Sequence, residues 1–550
     1  MTSTVNECGE IFPPGTVTLT GCTYSSSSLE LDQDSFSRAR VVLSPQPSKD
    51  PNEPLNWPTW RKVINMALIF GMTLAVFTNL MVQTVFWQQM KVDMKVSTVN
   101  LNNAQSANLA GLALGCLFFI PLTVKYGRRP SYLLSIVVLA GATWWTSKMK
   151  TNAELIVTAV ISGLAGAINE TAVQMTIADL FFVHQRGAAN AVYFGAVMMG
   201  SFLTPLAAGS QAATQGWRWS YYTLSICLTI LFVLFLFAYE ETKYIPVYVG
   251  TPIANATTRS TDDGYLKKTC GGSSDETQSP DTIAKLDSAP SLYVAAYTPN
   301  TYRQRMRLWT PTGESLGKLF LLPFQVIMLP HVLFTSLQFA AVVAWLVLVV
   351  AMISVIFSMP PYSFTTAGVG YMTLGPFVGN VFGTIYGGPL SDWVVVRLAR
   401  RNKDIFEPEM RLHLLCVPVV TMAGGLIMFG VTADRGMHWI FPSIGGACYA
   451  FGMGSIGEIA FTVLVDSYRD LVAESFIVVA FFRNALSMAV PFAMVPWWVS
   501  MGLSNMFITV GCLSLFIGLL YIPLLVWGKH IRIQLAPRYE ILIAKKRLIG

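Results

Sequence analysis

The chain has 550 residues, of which 53% are hydrophobic and only 12% are Asp, Glu, Lys or Arg. Ordinary soluble proteins are about 25% charged, so a water-soluble enzyme of this length lacks the polar surface it would need; disorder, collagen and a disulfide scaffold are excluded with it. The formal charge of +7 does not point to nucleic acid, because basic residues in a membrane chain mark the loops on the inner side.

Residues 1–60 are polar, with no early apolar stretch, which argues against a cleaved signal peptide. They read as a disordered cytoplasmic tail. The tail ends in PNEPLNWPTWRK (51–62), where Trp57, Trp60, Arg61 and Lys62 make an interfacial anchor. Six apolar runs of about 20 residues, the length a span needs, follow near 63–84, 104–124, 131–150, 155–178, 189–210 and 220–239. The stretch 240–327 is polar and contains TRSTDDGYLKKTCGGSSDETQSPDT; it reads as a disordered cytoplasmic linker. Six further runs lie near 328–355, 366–389, 412–432, 440–465, 475–498 and 503–527, and 528–550 forms a cytoplasmic tail. The expected fold is an all-α membrane protein of twelve transmembrane helices in two pseudo-symmetric six-helix bundles, 61–239 and 328–527.

Lys and Arg set the orientation. With the N-terminus inside, the inner segments hold about 30 of the 37 basic residues, so both termini are expected to be cytoplasmic. The eight cysteines are scattered, and none pairs with another Cys or a His at ligand spacing. No metal site, cofactor or obligatory disulfide is therefore expected. No GxxxxGK[ST] loop is present to bind ATP.

The halves repeat. Span four reads AINETAVQMTIAD (167–179) and span ten SIGEIAFTVLVD (455–466). Each carries a mid-span Glu and then an Asp at the inner end: Glu170 with Asp179, and Glu458 with Asp466. KYGRRP (125–130) after span two is mirrored by GGPLSDWVVVRLARR (387–401) after span eight. A carboxylate deep in a span costs about 2.5–3.5 kcal/mol on insertion scales, so such residues face a wet cavity or a partner. Glu170 lies roughly 13 Å along the helix axis from Asp179. Glu170 and Glu458 are expected to face each other between the halves; the alternative is that each pairs locally, with Asn169, Thr171 or Arg483.

These motifs resemble the major facilitator superfamily of secondary transporters, in a fungal style. The resemblance rests on PLNWPTWRK, GRRP, ADLFFVHQRG (178–187), GWRWSYY (216–222), EETKY (240–244), GGPLSDW, ARRNKDIFEPEMRL (399–412), VDSYRD (465–470) and FFRNALS (481–487). The group it is similar to includes drug/proton-antiporter-like permeases and histidinol/polyamine-type permeases. The superfamily's inner-loop motif G-x-x-x-D-[RK]-x-G-[RK]-[RK] is matched in the first half by Lys125, Gly127, Arg128 and Arg129, while Ile120 and Val124 stand at the Gly and Asp positions. The second half supplies Gly388 and Asp392, with arginines at 397, 400 and 401. The resemblance implies an inner gate latched by charge pairs: Asp179 with Arg186, Asp392 with Arg397 and its neighbours, and Asp466 with Arg469. In span five, Gly200-Ser-Phe-Leu-Thr-Pro-Leu-Ala-Ala-Gly209 is a degenerate form of the export-type antiporter motif. The antiporters' Arg in span four is replaced by Ala159, so coupling would fall to Glu170 and Glu458.

The resemblance further implies a central cavity lined by spans one, four, seven and ten. They offer Asn79 and Gln83, Glu170 and Gln174, Gln338 and Trp345, and Glu458; span eight adds Tyr371. Amides orient a solute by hydrogen bonds, and aromatic rings supply flat apolar or cation-binding faces. The expected activity is alternating access driven by protons, exporting a small organic molecule such as a secondary metabolite, toxin or drug. Proton-coupled uptake of an organic cation such as a polyamine is the alternative. A non-transporting nutrient sensor and an intramembrane enzyme are the readings from other classes. The expected partners are a small organic solute, protons and the lipid bilayer, with no nucleic acid; the chain is expected to act as a monomer in the fungal plasma membrane.

Overall fold

A computed structural model of the chain describes residues 13–18, 50–244, 300–312, 316–403, 405–468 and 471–549. Twelve long helical runs stand out among these residues, beside shorter helices such as Trp87–Met94 and Leu316–Val326. In the first half they are Thr59–Val85, Thr98–Tyr126, Arg128–Lys148, Asn152–Leu180, Val183–Gln215 and Trp217–Ala238. In the second half they are Pro330–Phe357, Thr366–Arg401, Pro408–Asp434, Ile440–Ser467, Val472–Met501 and Leu503–Ile549. They are called spans one to twelve below. Ten of the runs are long and apolar enough to cross a membrane. Span three, with fewer apolar residues, and span eight, which breaks at Met372–Thr373, are the other two. Spans five and eight also carry π turns, at Met199–Leu203 and Tyr386–Leu390. The only strand pairing described is short: Val17–Thr18 runs antiparallel to Ile405–Phe406.

Helix ends follow local chemistry. Thr151 and Glu154 form a capping box at the start of span four. Gly216 and Gly502, with φ of +88° and +78°, turn the chain from span five into six and from eleven into twelve. Only glycine adopts that backbone without strain. Within each half, glycines bring backbones together: a Cβ at Gly163 would overlap the carbonyl of Asn108 between spans two and four, and one at Gly379 that of Ala447 between spans eight and ten.

Pro13–Thr18 and the extension of span twelve around Arg532 lie on one face, here the terminal face; the opposite one is the far face. The halves meet where span five packs on span eight, span two on span eleven and span one on span seven. The far face is sealed between them. Gly209 of span five packs on Gly370 of span eight, where a Cβ would lie 3.3 Å from the Gly370 Cα. Thr373 donates to the Phe202 carbonyl at 2.7 Å and Gln89 to Thr366 at 3.1 Å.

Parts of the tail, the linker and the C-terminal segment are described as ordered structure. In the N-terminal tail, 13–18 docks on the second half, and Asn52 and Asn56 bond Asp50. In the linker, Glu240–Tyr244 and Asn300–Thr312 pack beneath the first half, and Leu316–Val326 is a helix. Residues 528–549, expected as a tail, continue the helix of span twelve. The remainder of the tail and linker lies outside the described residues.

Candidate functional site

Glu170 is buried on span four, near the middle of the bundle. It forms an ion pair with Arg483 of span eleven, in the other half. Asn484 donates to the same Glu170 oxygen at 2.8 Å, and Arg483 Nε donates to the Asn484 side-chain oxygen at 3.2 Å. The three side chains form a closed triangle across the two halves. The other proposed local partners bond elsewhere: Asn169 accepts from Thr73 of span one at 3.2 Å, and Thr171 donates to its own helix at Ala167.

A cavity of about 80 Å³ lies between the halves. Phe77, Tyr193 and Phe194 line it from the first half, and Phe339, Thr384, Glu458 and Arg483 from the second. Glu458 is half-buried, and no hydrogen bond or ion pair holds its carboxylate among the described residues. Two glycines of GGPLSDW make room for it. A Cβ at Gly388 would stand 3.0 Å from Glu458 Oε2, and one at Gly387 3.1 Å from Glu458 Cβ. On the terminal side, Phe194 faces Phe461 of span ten, with ring centroids 6.0 Å apart.

The two acids therefore do not face each other as equals. Glu170 is closed by Arg483, and of the eight expected cavity residues only Glu458 lines this cavity. Gln338 donates to the Ile517 carbonyl of span twelve at 2.8 Å. Trp345 is buried, with no partner for its indole nitrogen. Gln83 and Gln174 are buried with unpartnered amide nitrogens, and Asn79 is half-buried on span one. Tyr371 opens into a different groove of about 740 Å³, shared by spans eight and ten toward the far face. Arg483 is the residue the sequence reading placed only as a possible local partner. A lone basic residue inside an apolar span was its signal, since such a charge demands an acid.

Charge pairs stand at the terminal face of each half. Arg128, opening span three, reaches Asp179 at the end of span four at 3.0 Å. Arg411, opening span nine, reaches Asp466 at the end of span ten at 2.8 Å and Asp392 at 2.6 Å. The same two positions are thus used twice, and Arg411 went unnamed in the sequence reading. Arg186 does not take Asp179; it donates to the carbonyls of Phe181 and Ala178 and closes the end of span four. Arg397 lies over the Trp393 ring instead of on Asp392. Arg469 lies outside the described residues.

In the first half the missing Asp at 124 is made good from afar. Glu241 accepts from the backbone N–H groups of Arg128 and Arg129 at 3.0 and 3.1 Å, capping span three. Lys243 donates to the carbonyls of Val124 and Lys125 at 2.6 and 2.9 Å, capping span two. The Lys125 ammonium sits 5.7 Å from the Tyr126 ring. Arg129 donates to the carbonyls of Leu236 and Met306.

Comparison with known proteins agrees with this architecture. An MFS-type transporter of Schizosaccharomyces pombe is 29% identical, over 91% of this chain and 89% of that protein. Protein HOL1 of Saccharomyces cerevisiae is 26% identical, over 94% and 95%. Efflux pump radE of Floropilus chiversii is 24% identical, over 94% and 91%. The crystal structure of a peptide transporter POT in complex with sulfate superposes with a TM-score of 0.56 at 13% identity, over 88% of this chain and 96% of that one, which speaks to fold alone. The sequence profile of the Major Facilitator Superfamily matches residues 68–491, across both halves, and the chain belongs to that superfamily of membrane transporters.

Proposed function

We propose that the chain is a proton-coupled secondary transporter that works by alternating access and exports a small organic molecule. The observation that carries this reading is the unequal pair of acids. Glu170 ties the halves together through Arg483, while Glu458 stands unpaired on the cavity wall. An unpartnered carboxyl in a closed site can take up a proton and release it when the site opens to the other side. Neutralising it removes the cost of a buried charge, so the proton and the solute bias the same equilibrium. The terminal face is read as cytoplasmic from the Lys and Arg bias. Aromatic lining from Phe77, Tyr193, Phe194 and Phe339 suits a partly apolar solute. Export is favoured by the span-five motif and by the likeness to a protein named as an efflux pump.

One observation favours a second reading, uptake of an organic cation. With Arg483 neutralised by Glu170, the lining keeps one unpaired carboxyl among aromatic rings, which fits an amine that takes the place of its proton. The test compares cells with and without the protein for ethidium efflux and for uptake of labelled spermidine. Glu458→Gln is expected to abolish transport driven by a pH gradient while surface expression is kept. Full pH-driven transport by that variant would refute the coupling role, and spermidine uptake without ethidium efflux would decide for the second reading.

A further inference from the structure

Pro13–Thr18 lies on the terminal face of the second half, although the chain enters span one only at Thr59. Its local structure follows from its sequence. Pro13-Pro14-Gly15-Thr16 closes a turn, with Thr16 N–H donating to the Pro13 carbonyl at 3.2 Å. Gly15 supplies the positive φ, +87°, that the third position of a type II turn needs after proline. Val17 and Thr18 then add a short strand to Phe406 and Ile405, in the connection between spans eight and nine.

The receiving surface is built for this turn. Arg532 is fully buried on the extension of span twelve. One edge of its guanidinium holds Glu409 through two bonds of 2.7 and 2.6 Å. The remaining Nη1 donates to the Pro14 carbonyl and, at 3.2 Å, to the Thr16 hydroxyl. Gly15 rests on the end of span ten, where a Cβ would stand 2.5 Å from the Asp466 carbonyl oxygen and 2.9 Å from Ser467 Cα. Asp466 is the acid that Arg411 clasps, and Phe461, on the same helix, packs against Phe194 of the cavity wall. The segment thus touches the end of the helix that also carries Glu458.

We propose that Pro13–Thr18 is a detachable strap: docked, it holds the terminal end of span ten in its closed position, and its release lets the cavity open to that face. Six residues secured by one turn, one two-residue strand pair and one guanidinium belong to the least stable class of structural unit, which opens without global unfolding. The released strap stays covalently joined to the rest of the chain, so redocking is intramolecular.

The test uses the full chain, purified in detergent, and needs neither a substrate nor an assumed orientation. Val17→Cys with Phe406→Cys, in a chain carrying Cys8→Ser and Cys22→Ser, is oxidised to lock the strap. Gly15→Val releases it, since valine meets both the left-handed backbone and the Asp466 carbonyl. Thr384→Cys in the cavity wall is labelled with a maleimide in each background and read at its own peptide by mass spectrometry, so that exposed native thiols such as Cys227, Cys416 and Cys512 do not contribute, and hydrogen exchange is followed over 459–467. Release is expected to raise labelling several-fold and to speed exchange at the end of span ten. The disulfide is expected to hold labelling at or below that of the unlocked chain, with reduction restoring it. Failure of the disulfide to form, or equal labelling with the strap released and locked, would overturn the proposal. Arg532 is left unaltered throughout, because its loss strands the buried Glu409.

Discussion

The two halves share a frame and divide the work. In each, an Arg opening the third span of the half clasps an Asp ending the fourth: Arg128 with Asp179, Arg411 with Asp466. Each also carries a Glu in the middle of that fourth span. There the symmetry stops. Glu170 is locked to Arg483 and Asn484 from the opposite half, while Glu458 faces a cavity with two glycines cleared beside it. The repeat supplies two acids at matching positions; Arg483 on span eleven, with Gly195 at the matching position of span five, pairs with one of them. The lesson is that position within a repeat fixes where a side chain can reach, and the partner fixes what it does.

The sharpest way to break this contrast is to remove the arginine. Arg483→Leu strands Glu170 as a buried, unpaired charge, and breaking such a pair typically costs about 3–5 kcal/mol. A large fall in the melting temperature of the purified protein is expected. Glu170→Gln combined with Arg483→Leu is expected to recover most of that loss, since no charge is left stranded. Glu458→Gln strands nothing and is expected to move stability by less than about 1 kcal/mol. Equal destabilisation by Arg483→Leu and Glu458→Gln would erase the distinction between the two acids.

A smaller effect separates the two clasps. Arg411 serves both Asp392 and Asp466, whereas Arg128 serves Asp179 alone. Asp392 is mostly exposed, so its pair with Arg411 adds only about 0.2–1 kcal/mol to what the more buried Asp466 supplies. Arg411→Gln is therefore expected to destabilise the protein more than Arg128→Gln and to speed maleimide labelling of Thr384→Cys more. The reverse order in melting would mean that the first half's clasp carries the greater load.

The spans were legible because lipid demands runs of apolar residues, and the repeat because Glu170 and Asp179 recur as Glu458 and Asp466. The cavity lining was not. Spans such as Pro330–Phe357 are apolar on every side, so no polar stripe says which residues look inward. Gln338 bonds a carbonyl of span twelve and Trp345 is buried and not part of this cavity's wall, while Phe77, Phe194 and Phe339 line it without any polar signal in the sequence. The triangle around Glu170 joins residues more than three hundred positions apart, which no local pattern encodes. The Pro-Pro-Gly turn at 13–15 docks on Arg532, at the other end of the chain, which the polar composition of the tail does not encode. The linker residues Glu241 and Lys243 were read as part of a disordered stretch because composition reports average polarity and says nothing of a specific cap.

That last pair gives the subtlest difference between the halves, and a way to rebuild it. The second half has Asp392 near its clasp; the first has Val124 where the inner-loop motif places Asp, and Glu241 caps Arg128 and Arg129 instead. An acidic cap at a helix start contributes about 1 kcal/mol, so Glu241→Gln is expected to lower the melting temperature modestly. If Glu241 stands in for the missing Asp, Val124→Asp should restore what Glu241→Gln removes, because a carboxylate at the end of span two can again meet the start of span three. The same Val124→Asp change in the unaltered chain should bring little gain, since the amides are already taken and the new acid would crowd Glu241. A gain of equal size in both backgrounds would show that the two carboxylates act independently. The first half's latch would then be incomplete rather than rebuilt.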